Sequence, residues 1–182
     1  MLYNEIFIAH IEEIQHCLEN RCYLAALSLS LVLPDICGKA EFPNQKSGER
    51  YKKWYKNYMI PFEKPVDPIS ADMPYLSEEV VYQLRNAFLH TGNPDIEKDK
   101  IKDESCRIDN FKLFISNEPD GDMSSVSYGV SMEIRHRTYT VAVRDFCLRM
   151  AKKAKEYYFA NSEKFNFFTY EFEDDKDEYK NL

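Results

Sequence analysis

The chain has 182 residues, 44% hydrophobic and 14% aromatic, which suits one packed domain and excludes a disordered chain. Five glycines and eight prolines exclude a collagen-like or linker-like polymer, and the longest apolar run, residues 25–33, falls short of the roughly 18 residues of a membrane span. The net charge of -7 argues against bulk, sequence-blind attraction to nucleic acid, although residues 171–182 alone carry six acids against two lysines, so a locally basic cleft stays open.

The chain starts MLYNEIFIAHIEE, with an early Glu5 and no basic leader, so no signal peptide is expected. Residues 2–20 place Leu2, Ile6, Ala9, Ile14, Cys17 and Leu18 on one stripe, an amphipathic helix. Residues 21–33 are nearly apolar all round and predict the central, most buried helix, with Pro34 stopping or kinking it. Residues 34–48 read as irregular. Asp35 either caps a new turn after Pro34 or borders a cleft together with Lys39.

A third helix begins at Ser47 or Gly48. Its aromatic stripe, Tyr51, Trp54, Tyr55 and Tyr58, reads as core packing rather than a base-stacking platform. Four prolines make residues 61–74 a loop. Ser77 is an N-cap, with Glu78 and Glu79 where the helix dipole favours acids, and Gly92 is the expected left-handed C-terminal cap. Residues 95–105 are charged and loop-like.

Then the hydrophobic period changes to two. Residues 111–115, 126–134 and 138–143 predict a three-stranded antiparallel β-meander, with the turn EPDGD at 118–122. Arg135, His136 and Arg137 read as a hairpin turn, either solvated or touching an RNA backbone. A last helix starts near Arg144, with Lys152, Lys153 and Lys155 on its wet face. Residues 165–172 are either a short strand or an aromatic segment that packs back. The expected architecture is mainly α: an up-and-down helical bundle in one domain, 1–172, with the β insertion at about 107–143 and a frayed acidic tail at 173–182.

Several chemistries lack their residues. GKAE at 38–41 is no phosphate-binding loop, and neither HExxH nor GxSxG occurs. Histidines at 10, 16, 90 and 136 have no paired metal spacing, and no cofactor is expected. Five cysteines, at 17, 22, 37, 106 and 147, form no CxxC pair. They fit a reducing cytosol and read as small buried hydrophobes.

One stretch stands out: Arg85-Asn86-Ala87-Phe88-Leu89-His90, in the last turns of a capped helix. Asn86 and His90 are four apart and share a face. Arg85 and His90 lie about 140° apart around the helix, so one helix does not aim both at one small atom. Two such helices across a two-fold axis would build a composite site. A helix C-terminus favours a cation, which suits His90 to donate a proton.

This stretch resembles the R-N-x3-H motif of the HEPN superfamily (higher eukaryotes and prokaryotes nucleotide-binding domains), carried near the end of a core helix in an α-helical bundle. The β insertion lies outside that common core. The segments PDICGKAE, SGERYKKW and YQLRNAFLH together also resemble a group of small uncharacterised bacterial proteins, which points to a bacterial or mobile-element source. The resemblance implies a metal-independent endoribonuclease in a toxin or defence setting, cytoplasmic and homodimeric, with RNA as substrate, a possible antitoxin partner and no membrane. Under it, His90 would shuttle the proton, Arg85 would hold the phosphate and Asn86 would orient His90 or bind an oxygen. Asp35 and Lys39 would border the same cleft. The alternative is a non-catalytic nucleotide- or protein-binding module on the same fold.

Overall fold

The computed structural model describes residues 5–63, 75–94, 96, 100–101, 108, 110–115, 125–131 and 134–169. The expected turn at 118–122, most of the charged loop 95–105, Cys106 and the acidic tail lie outside them. The described chain is mainly helical, with helices α1 (Glu5–Glu19), α2 (Tyr23–Glu41), α3 (Ser47–Tyr58), α4 (Ile60–Glu63), α5 (Glu78–Thr91) and α6 (Val143–Ala160). Three strands, β1 (Asn110–Phe114), β2 (Ser125–Ser131) and β3 (Ile134–Ala142), form one small sheet.

Helix α2 is the centre, packed against α1, α3, α5 and α6. By length and composition it is apolar enough to cross a membrane, but its buried residues, among them Leu27, Leu31, Leu33, Ile36 and Cys37, face other helices. Pro34 does not stop it. The helix runs through to Glu41, so residues 34–41 are helical rather than irregular. Pro34 has no N–H and denies the Ser30 carbonyl its intrahelical donor, a cost of about 3 kcal/mol in an exposed helix. Apolar burial on both sides of the proline outweighs it, since each fully buried Leu or Ile is worth about 1.5–3 kcal/mol.

Gly38 sets how closely α3 can approach. A Cβ there would stand 2.8 Å from the Arg50 carbonyl oxygen, so α3 rests on bare α2 backbone. Tyr51, Trp54 and Tyr55 are fully buried and Tyr58 half-buried, so the aromatic stripe of α3 is core. Trp54 stacks on Tyr58 with ring centroids 5.2 Å apart, and Tyr157 of α6 meets both edge-on. After α6 the chain makes a 3-10 turn, Ser162–Phe165; residues 166–169 are not strand, and 170–172 lie outside the described residues. Phe165 is buried against Phe7 and Tyr158, with centroids 4.8 and 4.9 Å apart.

The sheet differs from the expected meander. β2 and β3 form an antiparallel hairpin, with Ser131 opposite Ile134. β1 lies on the other side of β3 and runs parallel to it, Asn110 opposite Thr138 and Phe114 opposite Ala142. Alternation identifies a strand and its two faces, but not its neighbour or its direction. The longest strand, β3, carries buried Tyr139 and Val141 and leads straight into α6, which makes it the central one. Arg135, His136 and Arg137 accordingly lie within β3, opposite Val130, Gly129 and Tyr128, and not in a turn.

The cysteines divide. Cys37 and Cys147 are buried, as expected, whereas Cys17 is half-buried and Cys22 is exposed. Burial pushes the Cys147 thiol up to about 12, which makes it inert.

Candidate functional site: the Arg85 cluster

Helix α5 is built from both ends by local chemistry. Ser77 Oγ accepts the Val80 N–H at 3.3 Å, closing the first turn. Gly92 ends it at φ 69°, its N–H donating to the Phe88 carbonyl at 2.9 Å. Val80, Val81, Leu84 and Phe88 face the core. That orientation turns Tyr82 and Arg85 along the seam with α2 and α3, and leaves His90 at the exposed C-terminal end.

Arg85 is held from two sides. Its Nε–H donates to Asp35 Oδ2 at 3.1 Å, and Nη2 lies 2.9 Å from the same oxygen. Nη1 donates to Asn86 Oδ1 at 3.0 Å. Asp35 is itself fixed by α3, because Ser47 Oγ–H donates to Oδ1 at 3.0 Å. The pair is largely but not wholly buried, with side chains 24% and 15% exposed. The remaining N–H groups of the guanidinium form a planar fork of the kind that grips phosphate.

The floor beneath this pair is Tyr51. Its hydroxyl donates to the Leu31 carbonyl at 3.2 Å, and burial, reinforced by the Asp35 charge, pushes it well above the ordinary phenol range. Tyr51 therefore stays neutral. Tyr82 packs on Tyr51 with centroids 5.3 Å apart, its hydroxyl over Gly48 where a Cβ would come within 2.6 Å. Lys52–Glu79 at 2.8 Å and Lys56–Glu78 at 3.0 Å hold the start of α5 against α3.

The residues singled out from sequence thus divide. Asp35, Arg85 and Asn86 come together, with Asp35 inside α2 rather than capping a new turn. Lys39, one turn on, donates to the Pro43 carbonyl at 3.1 Å and stands apart from the Arg85 bonds. His90 shares the Asn86 face but is exposed, and none of the hydrogen bonds or ion pairs among the described residues involves it. One chain therefore does not join Arg85 to His90. Ser47, Tyr51 and Tyr82 were not picked as site residues. Their segments, SGERYKKW and YQLRNAFLH, entered only through the wider resemblance, and Tyr51 only as part of the aromatic stripe.

Among the described residues no three His, Cys, Asp or Glu side chains gather as a metal site. No protein-family model, no curated protein and no solved structure matches the chain.

Proposed function

We propose that this chain is a metal-independent endoribonuclease of HEPN type, working as a homodimer in a toxin or defence setting in the cytoplasm. The observation that carries the reading is the clamped Arg85: Asp35 and Asn86 fix its guanidinium at the rim of a helical seam, with N–H groups left for a phosphate. His90 extends from the end of the same helix into solvent, where a second copy can meet it. The ribose 2′-OH of RNA attacks the adjacent phosphorus and the bond to the 5′-oxygen breaks. His90 of one copy moves the proton, and Arg85 of the other holds the charged phosphate. The products are a 2′,3′-cyclic phosphate and a 5′-hydroxyl, and DNA is left intact because it lacks the nucleophile. An antitoxin-like partner would act by covering this seam.

The test is incubation of end-labelled single-stranded RNA with the protein in EDTA, beside His90→Ala. Cleavage by the parent only supports the reading, and equal cleavage by both sinks it. The second reading is a non-catalytic module of the same fold that binds a nucleotide or a protein. What favours it is that the Asp35 carboxylate already neutralises Arg85. Nucleotide binding without any RNA turnover would select it.

A further inference from the structure

The C-terminal turn of α1 brings the backbones of two cysteines together. The Cys22 N–H donates to the Cys17 carbonyl at 2.7 Å, and the Arg21 N–H donates to the Leu18 carbonyl at 3.2 Å. Arg21 sits between them in the left-handed region at φ 58°. This nested pair of bonds around a left-handed residue is a Schellman turn, with Cys17 and Cys22 at its two outer positions. Side chains at those two positions commonly meet across such a turn.

The geometry limits the separation without any knowledge of rotamers. With standard bond lengths, a carbonyl angle of about 120° and that hydrogen bond, the two α-carbons are at most about 6.6 Å apart. A disulfide spans roughly 4.4–6.8 Å between α-carbons. Cys22 is exposed and Cys17 half-buried, and both are free thiols here. Cys37 and Cys147 are free thiols too, but both are buried.

We propose that Cys17 and Cys22 form a reversible redox dithiol, oxidised to an intrachain disulfide by a small-molecule disulfide such as glutathione disulfide. The exposed Cys22 thiolate attacks one sulfur of the oxidant, and one glutathione leaves as its thiol. The Cys17 thiolate then attacks the Cys22 sulfur of the mixed disulfide, and the second glutathione leaves. One protein S–S bond forms, both thiol protons pass to the departing glutathiones, and two electrons reduce the oxidant. Partial burial and the neighbouring Cys22 raise the Cys17 thiol, so less of it is thiolate and the exposed Cys22 is the one to attack the oxidant first. The proposal stands independently of the nuclease reading.

Trypsin supplies the assay, because Arg21 separates the two cysteines. The full-length protein is incubated with glutathione disulfide, quenched in acid, alkylated and digested without reduction. The expected product is peptide 1–21 linked to peptide 22–39, released by reduction, from a protein that runs as a single chain. Cys37 lies in the second peptide, so Cys37→Ala must keep the link, while Cys17→Ser and Cys22→Ser must each abolish it. Three results would overturn the proposal: a glutathione left on Cys22 with Cys17 alkylated, a link that persists in Cys22→Ser, or both thiols recovered alkylated.

Discussion

Arg85 of α5 and Asp35 of α2, fifty positions apart in the chain, meet through two bonds to one carboxylate oxygen, at 3.1 and 2.9 Å. The other oxygen of Asp35 belongs to Ser47 of α3. One carboxylate thus ties three helices together and aims the residue on which the functional reading depends.

Removing that carboxylate leaves an Arg85 side chain about three-quarters covered and without its counter-charge. Asp35→Ala should cost about 1–3 kcal/mol and lower RNA cleavage by freeing Arg85. Asp35→Asn retains an acceptor for Ser47 and should lose less of both. Urea unfolding and cleavage assays on the two variants check this. Equal behaviour of both with the parent would remove Asp35 from the account.

Two glycines separate backbone from side-chain crowding. At Gly38 the obstacle to a Cβ is the Arg50 carbonyl oxygen at 2.8 Å, which moves only with α3. At Gly48 it is the Tyr82 hydroxyl at 2.6 Å, the far end of a side chain. Gly38→Ala should therefore destabilise by about 1–3 kcal/mol, and Gly48→Ala by less, because Tyr82 can swing away. Thermal unfolding of the pair gives the order, and the reverse order would contradict the packing described.

Glu63 supplies a pH dependence. Its side chain is 2% exposed, paired with Arg149 at 2.5 Å, and Asp145 takes the other side of that guanidinium at 2.9 Å. Burial raises its carboxyl from an ordinary 4.5 to about 7, against the pull of Arg149. Between those values the folded chain binds more protons at this site than the unfolded chain. The contribution of Glu63 is therefore fully present below pH 4.5 and is lost as the pH rises through 7, by about 3 kcal/mol at most. Urea titrations at several pH values should show Glu63→Gln flattening this slope. An unchanged slope would mean that the carboxyl is not the titrating group.

Local chemistry was legible in the sequence where it decides the structure locally. Ser77 and Gly92 bound α5 through their own side chain and backbone, and the apolar residues 21–33 identify the central helix. Pro34 misleads because a local rule about a missing N–H meets a tertiary effect, burial on four helices. The place of β1 beside β3 depends on how the chain returns after β1, which alternation does not encode. The Asp35–Arg85 pair was half legible. Both residues were singled out, but their contact is between distant segments. PDICGKAE, SGERYKKW and YQLRNAFLH, named together only for a resemblance, are the three walls of one junction: Asp35 on Ser47 and Arg85, Gly38 on Arg50, and Gly48 on Tyr82. Glu63 was hidden in a proline-rich stretch read as loop. The Cys17–Cys22 approach depends on the left-handed Arg21, a conformation that an arginine does not advertise.

The most direct measurement of the central claim is cleavage of end-labelled RNA in EDTA by Arg85→Ala, by His90→Ala, and by the two mixed and allowed to exchange subunits. A site that takes Arg85 from one copy and His90 from the other predicts two silent variants, and a mixture that recovers about a quarter of the parent's activity, because half of the dimers regain one of two sites. The products should end in 2′,3′-cyclic phosphate. Single variants that cleave as well as the parent, or a parent that cleaves no RNA at all, would contradict the account.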